Sequence, residues 1–196
     1  MSPLHYSVPT TALKGHPRIP LAGVNLGRLE KCDFTAACCG ELSSALSTSP
    51  TLAELDLQEN KPEDSGVKLL CEGLTQPACN LQKRVLGCCR LTSACCEDLA
   101  SALKTNQSLK ELDLSGNKLG ETGIKLLLLF SLSISVSRRL ECCLLTADCC
   151  NDLASVLGTN QTLTELDLRN NELRDSGVKH LCAGLKRENC KIQKLV

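Results

Sequence analysis

The chain has 196 residues, enough for a substantial core, but it contains only two Phe, one Tyr and no Trp. The core must therefore be built from aliphatic residues and cysteine. Lys plus Arg and Asp plus Glu number 22 each, so the chain carries no net charge that would attract it to nucleic acid or to an anionic membrane.

The fifteen cysteines are an odd number, and the proline-containing N-terminus lacks the apolar core of a secretory signal. We therefore expect a cytoplasmic, reducing location in which the thiols are free. The most apolar stretch, residues 124–136, falls well short of the roughly 18 to 20 residues that span a bilayer. No membrane contact is expected.

Residues 1–23 are predicted to form an irregular segment, and residues 24–196 a single repeat domain. The template L-x-x-L-x-L-x-x-N/C-x-L recurs in that domain in two alternating forms. Asn-type units have asparagine at the ninth position: LAELDLQENKP from residue 52, LKELDLSGNKL from 109 and LTELDLRNNEL from 163. Cys-type units have cysteine there: VNLGRLEKCDF from residue 24, LQKRVLGCCRL from 81 and SVSRRLECCLL from 135. Six full units are followed by the start of a seventh at residue 192.

Each unit is predicted to contain a strand followed by a helix. The L-x-L portion alternates with period two, as a strand with one buried face does. In the Cys-type units Thr35, Thr92 and Thr146 are predicted to cap the following helix. Within that helix Cys96 takes the position that Val67 has in the preceding Asn-type unit. The second cysteine of each adjacent pair is therefore predicted to be a packing residue.

Three features depart from the template. The fourth position, where an inward Leu is expected, holds Gly27, Arg84 and Arg138 in the Cys-type units. An inward arginine predicts either a local slip of the strand register or a weakened strand. Residues 126–140 form a shorter connection than the equivalent residues 69–86, so the sequence leaves open whether this junction is regular.

These repeats resemble the ribonuclease-inhibitor-like class of leucine-rich repeats. The stretches LTSACCEDLASALKTNQSLKELDLSGNKLG, LTADCCNDLASVLGTNQTLTELDLRNNEL and DSGVKLLCEGL look most like the NLRP family of cytosolic NACHT-type innate immune receptors. The resemblance implies an α/β leucine-rich-repeat solenoid, with an inner parallel sheet and outer helices. It also implies a protein-binding or autoinhibitory region in inflammatory signalling, with a nucleotide-binding domain of the same receptor as one possible partner.

Two other functions remain open at this stage. One is a ribonuclease-inhibitor-like protein that wraps around an enzyme, although zero net charge weakens attraction to a basic ribonuclease. The other is a redox- or metal-responsive thiol protein, since four cysteines lie close together at Cys88, Cys89, Cys95 and Cys96. No motif for a phosphate loop, a nucleophile elbow or a zinc protease occurs. We therefore predict no catalytic residue, no cofactor and no resident metal.

The candidate site is the concave face, which we define as the alternate strand residues that point away from the helices. Acidic rows of the Asn-type units and basic residues of the Cys-type units alternate along it. Neighbouring rows could neutralise one another, or the face as a whole could dock a protein partner. The candidate protein-binding residues are Glu54, Asp56, Lys83, Glu111, Asp113, Arg139, Glu165, Asp167 and Arg169.

Overall fold

A computed structural model describes residues 26–130 and 137–196; the predicted irregular segment 1–23 lies outside the described residues. The described residues form one open sheet of seven parallel strands, in which each strand pairs with the strand of the next unit. The strands are β1 (Leu26–Arg28), β2 (Glu54–Asp56), β3 (Lys83–Val85), β4 (Glu111–Asp113), β5 (Ser137–Arg139), β6 (Glu165–Asp167) and β7 (Lys194–Leu195). Six α-helices connect them: α1 (Cys39–Thr48), α2 (Glu63–Leu74), α3 (Cys96–Thr105), α4 (Gly120–Phe130), α5 (Cys150–Leu157) and α6 (Arg174–Leu185).

The predicted leucine-rich-repeat solenoid is confirmed. Neighbouring strands in a sheet lie about 4.8 Å apart, whereas packed helices lie about 8 to 10 Å apart. A stack of strand–helix units therefore curves with its strands inside, which places the predicted site residues on the concave face. The core between the two layers consists largely of leucine and cysteine, with one Phe, Phe34, that is 1% exposed.

The strand register does not slip at the arginines. Arg84 pairs with Leu55 on one side and with Leu112 on the other, in the same register as every neighbouring strand. Arg138 likewise pairs with Leu112 and Leu166. Both side chains consequently point into the core, where Arg84 is 0% exposed and Arg138 is 5% exposed. The register-slip alternative is wrong, because the flanking leucines fix the pairing on both sides of each arginine.

The ninth-position asparagine ties each Asn-type unit to the preceding unit. The side chain of Asn117 accepts hydrogen bonds from Cys89 N and Leu91 N, both at 3.0 Å. Its amide donates to Leu86 O and Leu114 O, both at 2.8 Å. Asn60 and Asn171 make the equivalent four bonds in their own units. This residue therefore satisfies four backbone groups that the turn would otherwise leave buried and unpaired.

The ninth-position cysteine makes a smaller version of the same link. Cys89 Sγ donates to Leu57 O of the preceding unit at 3.2 Å, and Cys143 Sγ donates to Leu114 O at 3.3 Å. Both side chains are fully buried. A thiol has one weak donor where asparagine has two donors and two acceptor lone pairs. The alternation of Asn and Cys thus alternates strong and weak links along the stack.

The second cysteine of each adjacent pair packs against a glycine of the next helix. A Cβ atom added at Gly66, Gly123 or Gly177 would lie only 2.7 to 2.8 Å from the sulfur of Cys39, Cys96 or Cys150, respectively. These three thiols are all 0% exposed. The recurring glycine is therefore needed for close packing of helices, and the paired cysteine fills the space that the glycine leaves.

The helices of the Cys-type units begin later than predicted. A short 3₁₀ turn of three residues follows each capping threonine, and the α-helix begins at the second cysteine. Thr92 and Thr146 cap this turn by accepting from the backbone N–H two residues further on. Thr35 makes no side-chain cap, so that part of the prediction is wrong. All three threonines are extended because each bridges to a residue of the following unit.

Candidate functional site

The concave face presents two main columns of side chains, at the third and fifth positions of each unit. The third-position column contains Glu54, Lys83, Glu111, Glu165 and Lys194. The fifth-position column contains Arg28, Asp56, Val85, Asp113, Arg139 and Asp167. The structure therefore brings the candidate residues of five different strands, β2 to β6, together on one surface.

Ion pairs connect neighbouring rows over the C-terminal part of this face. Lys83 contacts Glu111 at 3.1 Å, and Arg139 contacts Asp113 at 3.4 Å. Further along the sheet, Lys194 contacts Glu165 at 3.7 Å. These side chains are partly exposed, so each pair contributes about 0 to 1 kcal/mol. Neighbouring rows therefore neutralise one another in part. A partner that breaks one of these ion pairs on binding would lose little free energy.

Arg169 is held more tightly than the other candidates. Its guanidinium donates to both carboxylate oxygens of Asp167, at 3.0 and 2.7 Å, and also to Glu141 at 3.2 Å. The hydrogen bonds from Arg169 hold the pKa of Asp167 below its usual value. Asp167 is also only 9% exposed. The charges of Arg169 and Asp167 are consequently paired with each other, so neither is readily available to pair with a charged group of a partner protein.

The aspartates of the fifth-position column also have a local structural role. Asp56, Asp113 and Asp167 each accept a hydrogen bond from the backbone N–H two residues further on, at 2.9 to 3.1 Å. Such bonds turn the chain out of the strand and are common for this residue type. Substitution of these aspartates would therefore change the turn as well as the surface charge.

A depression of about 230 Å³ opens between the second and fourth rows. Val85 lies across the sheet from both Asp56 and Asp113, so a small apolar side chain separates two carboxylates. Glu54, Asp56, Lys83 and Arg139 also line the depression. Within the part of the chain that the structure describes, no ion pair is recorded for Glu54 or Asp56.

Val85 and Gln58 also line this depression, although the sequence did not predict them as site residues. The signal was available in the template, because Val85 stands at a position where the two neighbouring units have aspartate. A missing charge in a charged column marks a place where the surface is lower and less polar.

Most of the cysteine side chains are buried in the core. Nine are buried, three are intermediate, and Cys88, Cys142 and Cys182 are exposed. Burial raises the pKa of Cys39 and Cys71 to about 11, and that of Cys89, Cys143 and Cys149 to about 12. Because the thiolate is the reactive and metal-binding form, these buried thiols are unsuited to either chemistry at neutral pH.

The four cysteines of the CCRLTSACC stretch do not form a metal cluster. Within residues 26–130 and 137–196, no three His, Cys, Asp or Glu side chains are grouped so that they could hold a metal ion. Cys89 and Cys96 lie in the core, whereas Cys88 is exposed on the turn. The geometry favours packing over metal binding for these residues. In the same ranges, no helix combines the length and apolarity needed to cross a membrane.

Comparison with known proteins identifies relatives of high similarity. A family model described as Leucine Rich repeat matches residues 105–128 and 159–182. The chain is 46% identical to mouse (Mus musculus) NACHT, LRR and PYD domains-containing protein 3 over 171 residues, or 86% of the chain. It is 47% identical to human (Homo sapiens) NACHT, LRR and PYD domains-containing protein 12 over 182 residues, or 91% of the chain. It is 46% identical to pig (Sus scrofa) ribonuclease inhibitor over 160 residues, or 80% of the chain.

The matched region is a small part of each relative. The chain spans 17% of the length of the two NACHT-containing relatives and 35% of the length of the ribonuclease inhibitor. The similarity therefore concerns the repeat region of these proteins.

Proposed function

The chain is a leucine-rich-repeat protein homologous to the repeat regions of the NACHT, LRR and PYD domains-containing proteins and of ribonuclease inhibitor, and from this premise we propose that it acts by binding a protein. In this proposal it is the repeat region of a cytosolic NLRP-like innate immune receptor. Its role is ligand sensing or autoinhibitory packing on a nucleotide-binding module, without catalysis of its own.

The observation that carries this proposal is the depression around Glu54 and Asp56. It lies on the inner surface of the solenoid, where strands from several units contribute side chains to one contact area. Among the described residues, the carboxylates of Glu54 and Asp56 make no ion pair, whereas Asp113, which also lines the depression, pairs with Arg139. A partner that presents a basic side chain here gains a new charge pair without breaking an existing one.

The proposal predicts that reversing the charge of Glu54 weakens binding to the NACHT module of the mouse relative named above. Glu54→Lys places a cation beside Lys83, so we expect the Kd to rise about tenfold. The measurement is biolayer interferometry with the full chain immobilised. Glu41→Lys, on the exposed surface of α1, is the matched control and should change the Kd less than about twofold.

A specific observation also supports the second candidate, a ribonuclease-inhibitor-like function. The 46% identity to the pig protein covers 80% of this chain. Inhibition of a pancreatic-type ribonuclease by micromolar chain, relieved by Glu54→Lys, would favour this function over the receptor proposal. If Glu54→Lys binds the NACHT module as tightly as the unmodified chain and ribonuclease is not inhibited, the concave face is the wrong surface.

A further inference from the structure

Leu144 is the most exposed large apolar side chain of the described residues, at 62% exposure. It stands at the tenth position of its unit, in the turn that follows β5. The tenth position of each other full unit holds an exposed charged residue, namely Asp33, Lys61, Arg90, Lys118 or Glu172. This position is therefore exposed throughout the stack, and Leu144 is the one apolar residue in a charged column.

The turn itself does not require a leucine at this position. The backbone φ angle of Leu144 is 58°, close to the 53° of Asp33 and the 60° of Arg90 in the other Cys-type units. This left-handed conformation is uncommon for a bulky apolar residue. Since most of the side chain is also in solvent, Leu144 contributes little to the core. Its presence is better explained by a contact outside the chain.

Two opposite charges flank Leu144 in the tenth-position column. The backbone N–H groups of Gly120 and Glu172 donate to carbonyl groups of the unit that contains Leu144, at 3.0 and 2.9 Å. The units therefore stay in register beyond the strands, with rows about 4.8 Å apart. Lys118 lies one row before Leu144, and Glu172 lies one row after it. The column consequently has the order positive, apolar, negative.

This order is complementary to itself. When a second copy faces the first with its units in the opposite order, the two Leu144 side chains meet at a two-fold axis. Lys118 of each copy then faces Glu172 of the other copy, which gives two identical ion pairs. A second copy with its units in the same order would place like charges opposite one another. Charge complementarity therefore favours the arrangement with opposite order.

The neighbouring eighth-position column is compatible with this contact. In the same three units it holds no charged residue, but Gly116, Cys142 and Asn170. The nearby Glu141 carboxylate accepts hydrogen bonds from Arg169 at 3.2 Å and from Asn170 at 2.7 Å, so its charge is already offset. The eighth-position column therefore adds no repulsion, and the two-fold arrangement brings the exposed Cys142 thiols of both copies near the axis.

We propose that the chain forms a symmetric dimer through the Leu144 edge, which we define as Lys118, Cys142, Leu144 and Glu172. One apolar side chain from each copy and two exposed ion pairs form a contact smaller than the about 1,200 Å² of a stable interface. The dimer is therefore weak, with a Kd of about 100 µM. The edge lies on the turns rather than on the strands, so the dimer is independent of the proposed function of the concave face.

Sedimentation equilibrium of the full chain in reductant tests the proposal from about 5 to about 500 µM, a range that brackets the expected Kd. The unmodified chain should shift from monomer to dimer across this range. Leu144→Asn should weaken the dimer about tenfold or more, because it removes the apolar contact while asparagine tolerates the left-handed backbone. Lys118→Glu should weaken it about tenfold, since both symmetric ion pairs become repulsive, and adding Glu172→Lys should restore the dimer.

Lys61→Glu makes the same charge change in the same column, three units away from Leu144, and is the matched control that should leave the Kd unchanged. Circular dichroism checks that each variant is folded, as expected for substitutions of exposed residues.

A short bismaleimide, added after the reductant is removed, gives a second measurement. It should link two copies through Cys142, so that Cys142→Ser abolishes the linked dimer whereas Cys88→Ser, at the eighth position two units away, retains it. A chain that stays monomeric over the whole concentration range would overturn the proposal. A dimer that neither Leu144→Asn nor Lys118→Glu weakens would do the same, because another surface would then hold the copies together.

Discussion

Replacing Arg84 by leucine is expected to raise the free energy of unfolding by about 3 kcal/mol. The side chain is 0% exposed, and none of its three guanidinium nitrogens has a hydrogen-bond partner in the described part of the chain. Removing a charge from water without a partner costs several kcal/mol. Leucine is the template residue at this position, and it would bury an apolar side chain between Leu55 and Leu112 instead.

The destabilising effect of the buried Arg84 charge depends on pH. Burial lowers the pKa of Arg84, so the unfolded chain binds its proton more tightly than the folded chain does. Stability is therefore recovered from this group as the pH rises through the lowered pKa of the folded state, and the recovery is complete above the ordinary pKa of arginine. Nearby Cys71, Cys39, Cys79 and Cys89 oppose this shift without removing it.

Urea unfolding at pH 7 measures the effect of Arg84→Leu. Arg90→Leu, at an exposed turn position of the same unit, is the control and should change the free energy of unfolding by less than about 0.5 kcal/mol. A loss of stability in Arg84→Leu would contradict the interpretation. It would mean that the guanidinium is compensated in solution, for instance by a deprotonated thiol.

Replacing Asn117 by alanine is expected to have the opposite effect, a loss of about 4 kcal/mol. The substitution removes four hydrogen bonds. Cys89 N, Leu91 N and Leu86 O lose this partner inside the protein, whereas Leu114 O keeps the hydrogen bond from the Cys143 thiol. Each unsatisfied buried group costs about 1 to 3 kcal/mol, and local relaxation recovers part of the total. Chemical denaturation compares the variant with the unmodified chain.

Asn80→Ala is the matched control for Asn117→Ala. The Asn80 amide makes one exposed hydrogen bond to Pro50 O, so its loss should cost less than about 1 kcal/mol. Asn117→Cys should fall between the two, because cysteine supplies one link at the same position of the Cys-type units. Equal effects of Asn117→Ala and Asn80→Ala would show that the asparagine link does not stabilise the stack.

The repeat template was sufficient to predict where the strands lie. Every strand begins at the third position of its unit, because the L-x-L alternation places one set of side chains inside and the other outside. The repeat also predicted that Cys96 and Val67 occupy equivalent helical positions, and both side chains are fully buried. Periodicity works here because each unit repeats the environment of another.

Contacts between units could not be predicted in the same way. The burial of Arg84 depends on two neighbouring strands. Their leucines keep the strand register even though an arginine is then buried without a hydrogen-bond partner. The recurring glycine suggested a backbone requirement, but its contact partner, the sulfur of a cysteine in the preceding unit, lies 27 residues away in sequence. The charges of the concave face were foreseen, whereas the depression at Val85 became visible only when the rows were placed side by side.

Thiol accessibility is the most direct test of the claim that the units stack in order with their sulfurs as core filler. The measurement is the time course of reaction with an aromatic disulfide reagent in the folded and the urea-unfolded chain, together with zinc analysis. We predict that Cys88, Cys142 and Cys182 react at once, that the three intermediate thiols react more slowly, and that the nine buried thiols react only after unfolding. Prompt reaction of the buried thiols in the folded chain, or stoichiometric zinc, would contradict it.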